Sequence, residues 1–255
     1  NLLLLFVYYG VSEQSDIFLL SYSILSIVNL IQLLFTEQFI YYYNKIKIDS
    51  INAANSLFTT VFLYSLMISI IMAILIYFFS NELIELFASQ YNNDFILKTD
   101  NFFNLLSLTI IFYLPLYVMQ NVLNANDKIS FSYIISIFPQ LFISFGFLYL
   151  YIFDGEILEL SFFYFIGTLI SFIMALFLVK EFFNLQNEKQ NLLIKELVIN
   201  SFKIRLAHNI YGVLSILIIN NFLSSFPSGY LSIFHYAKKA SDTILNVIYG
   251  PTHKV

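Results

Sequence analysis

Cysteine is absent from all 255 residues, which excludes disulfides, thiolate metal sites and cysteine nucleophiles together. Glycine occurs only seven times, and no phosphate-cradling glycine loop can be traced. Charge is scarce: 11% of residues are Asp, Glu, Lys or Arg, against roughly 25% in a soluble globular domain. The three histidines, His208, His235 and His253, are scattered without a His-Glu-x-x-His or other metal-ligand spacing. No basic tail or patch suggests nucleic acid. These absences predict a protein without catalytic residues, bound metal, cofactor or nucleic-acid partner.

What fills the chain is hydrocarbon. Hydrophobic residues make up 59% and mean hydropathy is +0.79. A membrane-crossing helix needs about 20 largely apolar residues. The candidates are 17–35, 56–79, 102–123, 129–152, 157–179, 207–224 and 231–249, preceded by a short apolar remnant at 1–10. The runs are too long and too unalternating for strands of a membrane barrel, which are about ten residues each. The h-region of a cleaved signal peptide, about 7–15 residues, cannot account for seven of them. The expected class is an all-α polytopic membrane protein of about eight helices, the first truncated. The chain opens without Met inside an apolar run, so it reads as a piece of a longer protein.

Charges between the runs set the expected orientation. The links at 36–55, 124–130, 180–205 and 250–255 hold Lys45, Lys47, Lys128, Lys180, Lys189, Lys195, Lys203, Arg205 and Lys254. The alternate links hold one basic residue, Lys98, and half of the sixteen acids, including Glu13, Asp16, Glu82, Glu85, Asp94 and Glu156. By the positive-inside rule the first set is cytoplasmic, as is the N-terminus of the remnant helix. Leu192, Leu193, Glu196, Leu197 and Asn200 suggest an amphipathic surface helix in the 181–205 link. That link divides the chain into helices 1–6 (residues 1–180) and helices 7–8 (residues 206–255).

Polar residues inside hydrocarbon are the candidate site. Lys238 and Lys239 stand within the apolar stretch 230–249, with Asp242 four and three residues on, a spacing that permits pairing on one helix face. A lipid-exposed lysine at a helix centre costs about 3 kcal/mol. The pair therefore faces a wet cavity or snorkels to the nearer interface. Helix 17–35 carries Asn29 and Gln32 and runs to Glu37; helix 207–224 carries His208, Asn209, Asn220 and Asn221. Interhelical bonding through such amides is worth about 0.6 kcal/mol each. Pro115 is read as a kink.

The order of these features resembles the lipid II (murein precursor) flippase family. Ser15-Asp16-Ile17-Phe18 opens the second helix, where the family has Asp-Ala-Phe. The run Asn29-Leu30-Ile31-Gln32-Leu33-Leu34-Phe35-Thr36-Glu37-Gln38 is similar to its Asn-Leu-Leu-Arg-Arg-Ile-Phe-Ala-Glu-Gly. Leu123-Asn124-Ala125, with Phe131 after it, looks like its link between helices four and five. Ser228-Gly229, then His235-Tyr236-Ala237-Lys238-Lys239, is similar to its Ser-Gly and Tyr-Tyr-Ala-Asp-Arg. The resemblance implies the exporter-superfamily flippase fold of two facing lobes, with cavity arginines that bind a lipid diphosphate during alternating access. By position the helix-eight arginine becomes Lys239, the preceding aspartate Lys238, and the helix-two arginine Gln32. Lysine keeps the cation but loses the bidentate fork. These departures favour a divergent relative, such as an O-antigen or capsule repeat-unit flippase.

The expected activity is therefore translocation of an undecaprenyl-diphosphate-linked saccharide across a bacterial cytoplasmic membrane. Lys239 and Lys238 would attract the diphosphate, while Gln32, Asn29 and Asn221 would hydrogen-bond sugar hydroxyls. Asp242, Asp16 and Glu37 would pair with charges. The expected partners are the lipid-linked oligosaccharide, membrane lipids and a coupling ion, H+ or Na+. The rivals are a cation-coupled multidrug exporter, which needs an embedded carboxylate, and a membrane-assembly subunit without transport activity.

Overall fold

The computed structural model describes residues 2–34, 36, 38–184 and 191–249. Every regular element among the described residues is helical. The order is α1 (Leu2–Tyr9), α2 (Glu13–Leu33), α3 (Phe39–Asp49), α4 (Ile51–Phe78), α5 (Ser80–Phe87) and α6 (Asn93–Ser107), then α7 (Ile110–Ala125), α8 (Ile129–Phe153), α9 (Leu158–Val179), α10 (Asn191–Leu223) and α11 (Tyr230–Tyr249).

Local chemistry explains where the elements begin. Ser12 caps α2 by accepting from the Ser15 N–H, Ser50 caps α4 through Ala53, and Asn92 caps α6 through Phe95. These caps start α2 and α4 four to five residues ahead of the expected apolar runs, because polar first turns are allowed once a side chain satisfies them. Helix 102–123 is two pieces, α6 and α7. Between them Leu108, Thr109, Ile111 and Phe112 donate three residues back rather than four, a tightened junction one turn ahead of Pro115.

Among the described residues five helices are long and apolar enough to cross a membrane, counting α6 and α7 as one span; a sixth is gained if the bent α10 is taken as a single crossing. The expected eight is not confirmed among the described residues. The described part of α1 is eight residues long, and Lys238, Lys239 and Asp242 load α11 with charge. Two further elements depart from expectation. The 36–55 link contains α3, packed on α4 and α7. The 191–205 part of the expected surface link is not a separate helix: it runs straight into the following span as α10, with a 46° bend between Leu206 and Asn209.

The links segregate to two ends, as the alternation of charge requires. At the acidic end Lys98 bridges Glu13 (3.0 Å) and Asp94 (2.7 Å), and Tyr8 donates to the Leu150 carbonyl. At the basic end Lys47 donates to the Ala125 carbonyl, and Lys128 pairs with Glu181 over the Phe182 ring. Each end has its own core. Leu5, Leu20, Phe102, Phe103 and Ile110 pack at the acidic end; Phe39, Tyr43, Leu57, Phe58 and Val118 pack at the basic end. Between the ends, α4 and α8 expose rows of Leu, Ile, Met and Phe along their outer faces, a surface suited to acyl chains rather than water.

Candidate functional site: a polar cavity between α2, α8 and α11

Helix α2 presents one polar stripe, Tyr22, Ser26 and Asn29, at the three- and four-residue spacing of a single face. Its opposite side is buried among α6 and α7. Facing that stripe across a gap are Gln140 of α8 and His235 and Lys239 of α11. With Tyr22 and Ser26 of the stripe and Leu2, Phe18, Leu19, Ser23 and Ile143 they line an open cavity of about 400 Å³. Among the described residues the Tyr22 hydroxyl and His235 Nε2 are buried without a hydrogen-bond partner, two unsatisfied polar atoms on side chains that line the cavity beside Lys239. Lys239 also borders a second opening of about 690 Å³, lined by Leu2, Leu3, Phe6, Tyr236, Ala240 and Thr243. That opening lies between α1 and α11 and is almost entirely apolar.

The acidic end of this cavity is fastened by one carboxylate. Asp16 is fully buried, and it accepts from the backbone N–H groups of Gly229 (2.6 Å) and Ser232 (2.8 Å) and from the Tyr91 hydroxyl (3.1 Å). One N–H belongs to Gly229, the residue just before α11, and the other to Ser232 in its first turn, so Asp16 on α2 caps a helix more than two hundred residues away. Negative charge there also meets the positive end of the α11 dipole. Burial and the adjacent Asp16 carboxylate push the Tyr91 phenol well above its ordinary range, which keeps it a donor. Gly229 adopts φ +99°, and a Cβ there would lie 2.6 Å from Val11 Cγ1, so the α10–α11 turn touches the α1–α2 link directly. Tyr236 adds a bond to the Gly10 carbonyl (3.1 Å).

The structure brings together only part of the expected set. Lys239 is in the cavity wall. Lys238 is exposed one position round the helix, and Asp242 is exposed without an ion pair to either lysine among the described residues. Asn29 continues the α2 stripe two turns beyond Tyr22, half-buried, with Oδ1 unbonded. Gln32 is turned away: it is fully buried and donates to Ser69 Oγ on α4 and the Ile110 carbonyl on α7, both at 3.2 Å. That carbonyl lies at the α6–α7 junction, where a side-chain donor is useful, so Gln32 is a strut in the bundle. Asn221 is likewise a strut, donating to the Leu86 carbonyl (2.9 Å) and accepting from Ser89 (3.1 Å). Asp16 partners helix N–H groups rather than a cation. Glu37 lies outside the described residues.

Sequence reasoning missed Tyr22, Gln140 and the role of His235. The signal was present in α8, where exposed Ser136 and Gln140 share a stripe while exposed Ile134, Ile137, Leu141 and Phe145 mark another side. Two chemically different exposed faces on one apolar helix mean two different surroundings. No family model matches the chain, and no curated protein matches it significantly.

Proposed function

We propose that the protein is a transporter rather than an enzyme, and that it moves a diphosphate-linked lipid saccharide across the cytoplasmic membrane of a bacterium by alternating access. One observation carries this reading: Lys239 stands at the meeting of a polar cavity and an apolar side opening. A lipid with an anionic headgroup and a long hydrocarbon tail needs that pairing, a cation and hydrogen-bonding groups for the head beside an apolar path for the tail. In a site of low dielectric the attraction of one lysine for a diphosphate is stronger than in water. On this reading the acidic end faces outward and the Asp16 cap holds α11 against α2 on that side, closing the cavity. Release of that contact would let the headgroup leave.

A cation-coupled exporter remains the second reading, because Asp16 is a buried carboxylate of the kind such a pump requires. Its oxygens already accept three hydrogen bonds, which favours a latch over an ion site. The test is complementation, with the full-length protein, of cells lacking their own flippase. The Lys238→Gln/Lys239→Gln double variant should accumulate in the membrane yet fail, whereas Lys239→Arg should function, because arginine keeps the charge and adds a phosphate-matching fork. Wild-type growth with the double glutamine variant would end the diphosphate proposal. An exporter would instead depend on Asp16 and tolerate loss of both lysines.

A further inference from the structure

A second, smaller chamber opens within the first bundle. It measures about 190 Å³ and lies between α7, α8 and α9. Its origin is Pro139, which leaves the Ile135 carbonyl without its α-helical donor. Ser171 of α9 supplies that bond at 2.9 Å. The same crossing is tight at Gly167, where a Cβ would come within 2.9 Å of Pro139 Cα. Proline and the Gly167–Ser171 contact thus hold α8 in close register with α9 on one side, and the chamber lies where both helices face α7.

The lining has a consistent chemistry. Tyr113, Tyr117 and Gln120 repeat along one face of α7, and Gln140 and Tyr164 face them. Phenols and amides carry donors and acceptors, the Ser136 and Thr168 hydroxyls, which donate to the Tyr133 and Tyr164 carbonyls, supply acceptors, and the rings supply flat apolar faces. The lining contains no acidic or basic side chain. Gln140 borders both this chamber and the Lys239 cavity. Tyr164 packs edge to face against Tyr22 of that cavity, with centroids 5.4 Å apart. The chamber is therefore a side pocket of the proposed headgroup site.

We infer that this chamber is the sugar subsite, and that it takes an uncharged pyranose next to the diphosphate. The inference rests on the flippase reading and refines it. A sugar ring offers C–H faces to tyrosine rings and hydroxyls to amides and phenols, which is what the lining can satisfy. An acidic sugar or a carboxylate-bearing peptide would enter without a cation, and a cationic drug would enter without an anion, each a costly burial of charge.

The experiment compares two probes on the purified full-length protein in lipid nanodiscs: undecaprenyl diphosphate alone, and the same lipid carrying one N-acetylglucosamine. The wild-type protein should bind the glycosylated lipid roughly tenfold more tightly, the worth of one or two added hydrogen bonds. Gln120→Leu and Gln120→Ala should each remove most of that preference while leaving affinity for the bare diphosphate unchanged, because Gln120 lines this chamber and not the Lys239 cavity. Tyr164→Phe, a smaller change, guards against loss of fold and should reduce the preference partially. Equal wild-type affinity for the two lipids, or an equal loss for both probes in the glutamine variants, would overturn the sugar subsite and leave the flippase reading standing. Failure of the wild-type protein to bind either lipid would overturn the flippase reading itself.

Discussion

Replacing Asp16 with asparagine isolates the latch between α2 and α11. The carboxylate accepts two backbone N–H groups, at 2.6 and 2.8 Å, and one phenol, at 3.1 Å. Hydrogen bonds to a charged group are worth about 1.5–3 kcal/mol each, and a carboxylate at a helix N-terminus adds up to about 1 kcal/mol. Asparagine keeps one oxygen, so it can still serve Ser232 or Gly229 but not both, and the surviving bond is neutral. The expected loss is about 2–4 kcal/mol, all of it drawn from the docked arrangement. At 1.4 kcal/mol per factor of ten, the equilibrium between docked and undocked α11 shifts roughly 30- to 1,000-fold.

Because the chain has no cysteine, that shift can be read by a single introduced thiol. Ser26 is exposed to the cavity on the α2 stripe, so Ser26→Cys reports whether the cavity is open. An impermeant maleimide added outside intact cells should label it slowly in the otherwise native protein, and at least tenfold faster when Asp16→Asn is also present. A thiol at exposed Glu85 should label equally in both backgrounds, which establishes equal access and folding. An unchanged Ser26→Cys rate with the Asp16→Asn substitution would refute the latch, because it would mean that the acidic end stays closed without it.

The other predictions probe single contacts. Gly229→Ala forces a side chain into the left-handed region against Val11 and should cost about 1–3 kcal/mol, seen as a lower melting temperature in detergent; adding Val11→Ala should restore part of the loss, since it relieves the clash but not the backbone strain. Gln32→Leu should lower thermal stability by about 1–2 kcal/mol without altering affinity for undecaprenyl diphosphate, whereas a sugar-binding Gln32 would show the reverse. Cysteines placed at Lys45 and Lys195 should be shielded from an impermeant reagent in intact cells, and those at Glu85 and Glu156 should react; labelling of the Lys195 position from outside would invert the assigned orientation.

The spans were legible because run length and composition are local properties, readable wherever a helix must cover some 30 Å of hydrocarbon. The segregation of ends was legible for a related reason: each crossing reverses direction, so basic and acidic links must alternate. Lys238 and Lys239 were legible together as cations with no cheap place in lipid. What failed was the assignment of partners. Asp16 meets Gly229 and Ser232 across separations of 213 and 216 residues, and no local spacing encodes that. Gln32 and Asn221 looked like site residues because an amide in a membrane helix can either bind a ligand or join two helices, and the sequence is the same for both.

The structure separates those two uses by where the donors go. Gln32, Asn209 and Asn221 each spend an amide N–H on a backbone carbonyl of another helix, namely those of Ile110, Leu30 and Leu86. They hold α2 and α10 in place. The Tyr22 hydroxyl and His235 Nε2 are buried without partners among the described residues, on side chains that line the cavity beside Lys239. An unspent polar group in hydrocarbon costs more than a spent one, so its persistence beside a cavity is the stronger sign of a ligand. By that criterion Tyr22 and His235 mark the candidate site, beside Lys239. The buried amides Gln32, Asn209 and Asn221 belong instead to the frame that joins α2, α5, α7 and α10.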